Sequence, residues 1–149
     1  MKLWQKDKAS LKEVEIFTVG KDREMDMYLA AFDVLGSLAH IEMLESVGLL
    51  TKDELSQLQK ELKNVFRQIK KGEFILQDDV EDIHSQVELL LTQKLGDIGK
   101  KIHSARSRND QVLVDVKLFL RNELEELVKT IQPFFELLQT QSEKYKDHL

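Results

Sequence analysis

Cysteine is absent from the 149 residues, which excludes a disulfide framework and any thiolate metal site and suits a reducing cytoplasm. Proline occurs once and glycine six times, so the backbone has few places to turn and must be spent on long continuous elements. No alternating run reads as a strand, and no repeat or low-complexity linker interrupts the chain. No apolar run approaches the roughly 20 residues that a membrane span needs. The opening Met1-Lys2-Leu3-Trp4-Gln5-Lys6-Asp7-Lys8 carries positive charge with no apolar stretch behind it, so it does not read as a secretion signal. An excess of basic charge is also lacking. A formal net charge of -5 argues against nucleic acid or an acidic membrane as a general partner. The expectation is a soluble, cytoplasmic, all-α protein.

With 42% hydrophobic and 33% charged residues, the chain has the composition of an ordinary globular domain with a core to bury. Apolar residues recur at three- and four-residue steps over residues 23–47 (Met25, Tyr28, Leu29, Phe32, Leu35, Ala39, Met43), which predicts a first helix stopped by Gly48. Thr51 and Glu54 form a capping-box pair, in which each side chain satisfies the other residue's unpaired N–H. The helix they open carries Leu55, Leu58, Leu62, Val65 and Ile69 on one face and ends at Gly72. A third helix is expected to start near Asp78 and Asp79, where acidic charge suits a helix N-terminus, with Val80, Ile83, Val87, Leu91 and Leu95 on one side. Gly96 and Gly99 then bracket a short connection.

From Asp110 to Leu149 a single helical pattern runs through Val112, Val116, Leu120, Leu124, Leu127, Ile131, Phe134 and Leu138, interrupted only by Pro133. Unbroken, it would reach roughly 60 Å at about 1.5 Å per residue. That is more apolar stripe than a domain of this size covers with its own mass, so packing against other chains or further sequence is expected. The division read from the pattern is a helical domain over residues 1–109 and the start of a long bundle helix over residues 110–149.

Polar chemistry is densest in Lys100-Lys101-Ile102-His103-Ser104-Ala105-Arg106-Ser107-Arg108-Asn109-Asp110-Gln111, between the glycine break and the long helix. Ser107, Asn109 and Asp110 are all good N-cap residues, and the free N–H groups beyond a cap make an anion site. Arg106 or Arg108 could add a planar fork for a carboxylate. One capping residue would suffice for a plain helix start, and the crowding of polar types here favours a ligand. Glu81 and His84 share a helix face with the Glu-x-x-His spacing of di-metal bundles. No second such pair exists in the chain, so no metal site is expected, and His84 reads as a hydrogen-bonded orienting residue or a surface histidine. Neither a Gly-x-Ser-x-Gly elbow nor a phosphate-binding glycine loop is present.

The run His103-Ser104-Ala105-Arg106-Ser107-Arg108-Asn109-Asp110-Gln111-Val112 resembles the His-x-x-Arg-Ser-Arg-Asn-Asp-Gln-Val signature of the argininosuccinate lyases. Val80-Glu81-Asp82-Ile83-His84 with Glu88 is similar to that family's Glu-Asp-Val-His segment, and Asp33-Val34-Leu35-Gly36-Ser37 looks like its Asp-x-x-Gly-Ser. The resemblance spans the chain from about residue 22 onward. It implies membership of the fumarase and aspartase superfamily, whose members are homotetramers built on a bundle of long helices, and cleavage of argininosuccinate to arginine and fumarate without metal or organic cofactor. It also implies that Ser107, Arg108 and Asn109 hold the succinate half of the substrate, with His84 and Glu88 in support.

The chain departs from the family pattern at its start. Trp4-Gln5-Lys6-Asp7 stands where the family has Trp-Gly-Gly-Arg, and Lys21 and Asp22 lie where a substrate-contacting serine is usual. The family's Thr-His segment and its mobile Gly-Ser-Ser loop, which carry proton transfer, do not occur in these residues. The resemblance therefore places no catalytic residue in this chain and implies a fragment that is inactive alone. Two alternatives stand beside this: a helical scaffold of the kind that lens crystallins of the superfamily became, and a sibling lyase releasing fumarate from another succinyl substrate.

Overall fold

The computed structural model describes residues 17, 20–77 and 80–148. Among these are six α-helices, one 3-10 turn and no strand: α1 (Asp22–Asp26), α2 (Ala30–Ser46), α3 (Lys52–Lys71), α4 (Ile83–Leu95), α5 (Asp97–Lys100), the 3-10 turn Lys101–His103 and α6 (Arg108–Tyr145). The chain forms two compact units, Met1–Val116 and Lys117–Leu149.

In the first unit α2 packs on α3, α3 on α4, and α4 on α5. Each begins and ends for a local reason. Thr51 caps α3 with the full box, Glu54 N–H donating to Thr51 Oγ1 at 3.2 Å and Thr51 N–H to Glu54 Oε2 at 2.9 Å. Gly72 closes α3 at φ 71°, a conformation that costs a residue with a Cβ but not glycine. The expected stripe of α3 faces inward: Leu58, Leu62 and Val65 are buried, with Leu55 and Ile69 packed against them. From α4 come Ile83, Val87 and Leu91, with Val80 buried ahead of the helix.

Three expectations need correction. The stretch over residues 23–47 is two helices, because residues 27–29 form turns. Arg23 Nη2 donates to the Gln77 carbonyl at 2.5 Å and Ile83 N–H to Asp26 Oδ2 at 3.3 Å, so α1 is tied to the segment ahead of α4. The face of α2 turned to the core is Ala30, Val34, Ile41 and Leu44, whereas Tyr28, Leu35, Ala39 and Met43 are exposed. Apolar residues on either side of the Asp33, Ser37 and His40 face give periodicity two stripes to choose from, and packing against the neighbouring helices selects one. Lastly, Asp78 and Asp79 lie outside the described residues, and the residue that caps α4 is Asp82, whose Oδ1 accepts from Ser85 N–H at 2.8 Å.

The expected connection between the glycines is itself helical: Gly96 precedes the turn α5 and Gly99 lies within it. Gly99 is required there by close packing, since a Cβ at this position would fall 2.4 Å from the Leu91 carbonyl carbon.

The long helix α6 has 38 residues with Pro133 inside it, about 57 Å at the standard rise. In the second unit its apolar stripe, Leu120, Leu124, Leu127, Ile131, Phe134 and Leu138, is exposed.

Candidate carboxylate site

The start of α6 is a reciprocal cap. Ser107 N–H donates to Asp110 Oδ2 at 2.8 Å, Ser107 Oγ donates to the same oxygen at 3.0 Å, and Asp110 N–H reaches Ser107 Oγ at 3.4 Å. These bonds hold the Asp110 carboxyl below the usual carboxylate range. Arg108 forms an ion pair with Asp82 and donates from Nη2 to Ser85 Oγ at 3.2 Å. It thereby links the N-terminus of α6 to that of α4, two positive helix ends with side-chain caps. Ser107 and Asn109 are exposed and Arg108 is half-buried, so all three can be reached from solvent.

From sequence, Arg106 and Arg108 are equal candidates for the fork, and the fold separates them. Arg106 turns inward, donating from Nη2 to Ser37 Oγ at 3.0 Å, and burial lowers its pKa. Arg108 stays at the rim.

Behind the turn lies a buried polar cluster drawn from three helices. His84 Nδ1 of α4 stands 2.6 Å from Asp33 Oδ1 of α2 and 3.7 Å from Asp115 Oδ2 of α6. Burial pushes the Asp115 carboxyl up to about 7, with the charge of Asp33 adding to the effect and His84 and Arg106 opposing it. Burial alone would lower the His84 pKa. The hydrogen bond and charge of Asp33, with Asp115 and Asp26, outweigh it and raise the value. His84 is thus buried and orients against carboxylates, not on the surface. Glu88, one turn further along α4, is half-buried, and its charge acts on Arg106.

His84 joins Asp33 and Asp115, and the ligand-type atoms of the three all lie within 4.8 Å of one another. The charge complement in that cluster is supplied by His84 and Arg106, and the imidazole nitrogen facing the carboxylates is engaged by Asp33. Gln111, the last residue of the polar run, is buried, and so is Asp115 four residues on, which sequence reasoning does not single out. The one signal for Asp115 is an acid a helical turn beyond Gln111 within an apolar stretch.

The chain matches the lyase family model over residues 7–149 and belongs to that family. Among curated proteins it is 61% identical to the argininosuccinate lyase of Parabacteroides distasonis over 148 residues, 99% of this chain and 33% of that relative. The argininosuccinate lyase of Bacteroides thetaiotaomicron is 60% identical over the same share of each chain. That of Thermotoga neapolitana is 40% identical over 142 residues, 91% of this chain and 36% of the relative. The chain therefore spans about a third of the length of the curated relatives it matches. Among the described residues no helix is long and apolar enough to cross a membrane.

Proposed function

We propose that the chain supplies the succinate-binding third of an argininosuccinate lyase, an enzyme that eliminates arginine from argininosuccinate and leaves fumarate. The observation that carries this reading is Arg108, held at the junction of two helix N-termini by Asp82 and Ser85 with Ser107 and Asn109 beside it. A substrate carboxylate at this place competes with Asp110 for the Ser107 hydroxyl and meets free N–H groups at the start of α6. In the reaction a proton leaves the carbon next to a carboxylate, the C–N bond to the guanidinium breaks, and the electron pair forms the double bond of fumarate. Negative charge grows on that carboxylate as the proton leaves. Donors that tighten on the growing charge lower the barrier, and Ser107, Arg108 and Asn109 have this role.

His84 and Glu88 support the site from behind. The groups that take and return the proton are assigned to sequence outside this chain, so the chain alone is inactive. In this reading residues 1–109 are the N-terminal helical domain and residues 110–149 begin the central bundle of a cytoplasmic homotetramer. The exposed apolar stripe of α6 supports such an assembly. No metal or organic cofactor enters the proposed reaction, and neither nucleic acid nor membrane is a partner.

A chimera tests the reading. This chain replaces the matched third of the Parabacteroides distasonis enzyme, and fumarate release from argininosuccinate is followed by its ultraviolet absorbance. Activity within about tenfold of the parent, lost in Arg108→Ala, is expected, with none from the chain by itself. A folded chimera that releases no fumarate overturns the proposal.

A further inference from the structure

Asp33, Ser37 and His40 occupy one face of α2 at successive turns, and each engages a different part of the site. Asp33 Oδ1 accepts from His84 Nδ1 at 2.6 Å, Ser37 Oγ accepts from Arg106 Nη2 at 3.0 Å, and His40 Nε2 lies 2.9 Å from the Ser104 carbonyl oxygen. A carbonyl only accepts, so His40 carries a proton on Nε2.

The last two bonds flank Ala105. Its φ is 59°, and among the described residues it is the non-glycine residue at positive φ. A side chain with a Cβ pays for that conformation, and it persists only where neighbours fix the backbone on both sides. Ser104 is held ahead of Ala105 and Arg106 behind it, both from α2. Ser107, Arg108 and Asn109 follow at once. Close packing brings the two helices together here, since a Cβ on Gly36 would stand 3.3 Å from Val114 Cγ1.

We infer that Ser37 and His40 are positioning residues: the polar face of α2 clamps the strained turn at Ala105 and so sets the direction in which Ser107, Arg108 and Asn109 face. The functional value of the clamp rests on the proposed carboxylate site, whereas its geometry does not. Neither residue touches the substrate in this scheme. Their effect reaches it through the backbone of residues 104–106. Ser37 is completely buried, and its hydroxyl meets a guanidinium that burial makes costly to leave without a partner.

The test reads backbone amide signals and hydrogen exchange by NMR in the whole chain. Ser37→Ala and His40→Leu are expected to move the amide signals of residues 105–109 and to speed exchange there at least tenfold, with the signals of α3 in place. His40→Gln keeps an N–H able to reach the Ser104 carbonyl and is expected to retain the wild-type signals of the turn. Val87→Ala removes core methyl groups elsewhere, so it lowers overall stability and leaves those signals alone. Unchanged turn signals in His40→Leu, or an equal change in Val87→Ala, overturn the clamp. Should Ser37→Ala fail to fold, the His40→Leu and His40→Gln pair decides the matter. An inactive chimera alongside a responsive turn would remove the carboxylate reading and leave the clamp standing.

Discussion

His84 of α4 and Asp33 of α2 share a 2.6 Å hydrogen bond within the protein interior, and Asp115 of α6 faces the same imidazole nitrogen from 3.7 Å. Two acids, one histidine and the neighbouring Arg106 thus meet where three helices converge. Such a cluster costs desolvation unless its charges are matched, and at Asp115 the match is incomplete.

That imbalance makes stability depend on pH. An acid whose pKa is higher folded than unfolded binds its proton more tightly when folded. The stability contributed by protonated Asp115 is therefore present below its ordinary 3.8 and is lost as pH rises through about 7. His84, also raised, works in the same direction: its contribution is complete below 6.5 and is lost as pH rises through its folded value. His40, lowered by burial, acts in the opposite sense below 6.5 and does so equally in the wild type and in a variant at Asp115. Urea unfolding of the wild type should show stability falling from pH 5 to pH 8, and Asp115→Asn should flatten the profile. At pH 8 the variant is expected to be the more stable by roughly 2–4 kcal/mol. Parallel profiles would show that Asp115 does not hold its proton.

The two interior glycines respond differently to a methyl group. Gly99→Ala drives a Cβ into the Leu91 backbone and is expected to cost about 3 kcal/mol in chemical unfolding. Gly36→Ala meets the end of the Val114 side chain at 3.3 Å and gains about 1 kcal/mol of helix propensity, so its net change stays near zero. Equal costs at the two positions would contradict the packing described.

Leucines on α3 and α6 separate core from assembly surface. Leu62→Ala should cost about 3 kcal/mol at any protein concentration, because its side chain is completely buried. Leu124 is 60% exposed, so Leu124→Ala should leave dilute stability within about 0.5 kcal/mol and weaken self-association in sedimentation. A concentration-independent loss at Leu124 would place that residue in a core within the chain.

Much of this fold is legible in the sequence because local chemistry and periodicity agree. The Thr51 and Glu54 box, the Leu58 to Val65 stripe and the Gly72 stop all form as the pattern implies. The α2 region is harder to read, since the helix carries two apolar stripes and only tertiary packing chooses Val34 and Ile41 over Leu35 and Met43. The polar turn at Ser107 is legible from its crowding. The inward role of Arg106 is not, because it depends on Ser37, 69 positions earlier. Asp115 escapes sequence reasoning for the same reason: its partners come from α2 and α4, and no local pattern brings them together.

The most direct test of the central claim is a fumarate titration of the purified chain, followed through the amide signals of residues 104–111. A saturable shift confined to this turn in the wild type, absent in Arg108→Ala and not restored in Arg108→Lys, is the predicted result, because lysine lacks the planar fork. A titration with no shift at the turn, or the same shift in Arg108→Ala, would contradict the assignment of a carboxylate site to Ser107, Arg108 and Asn109.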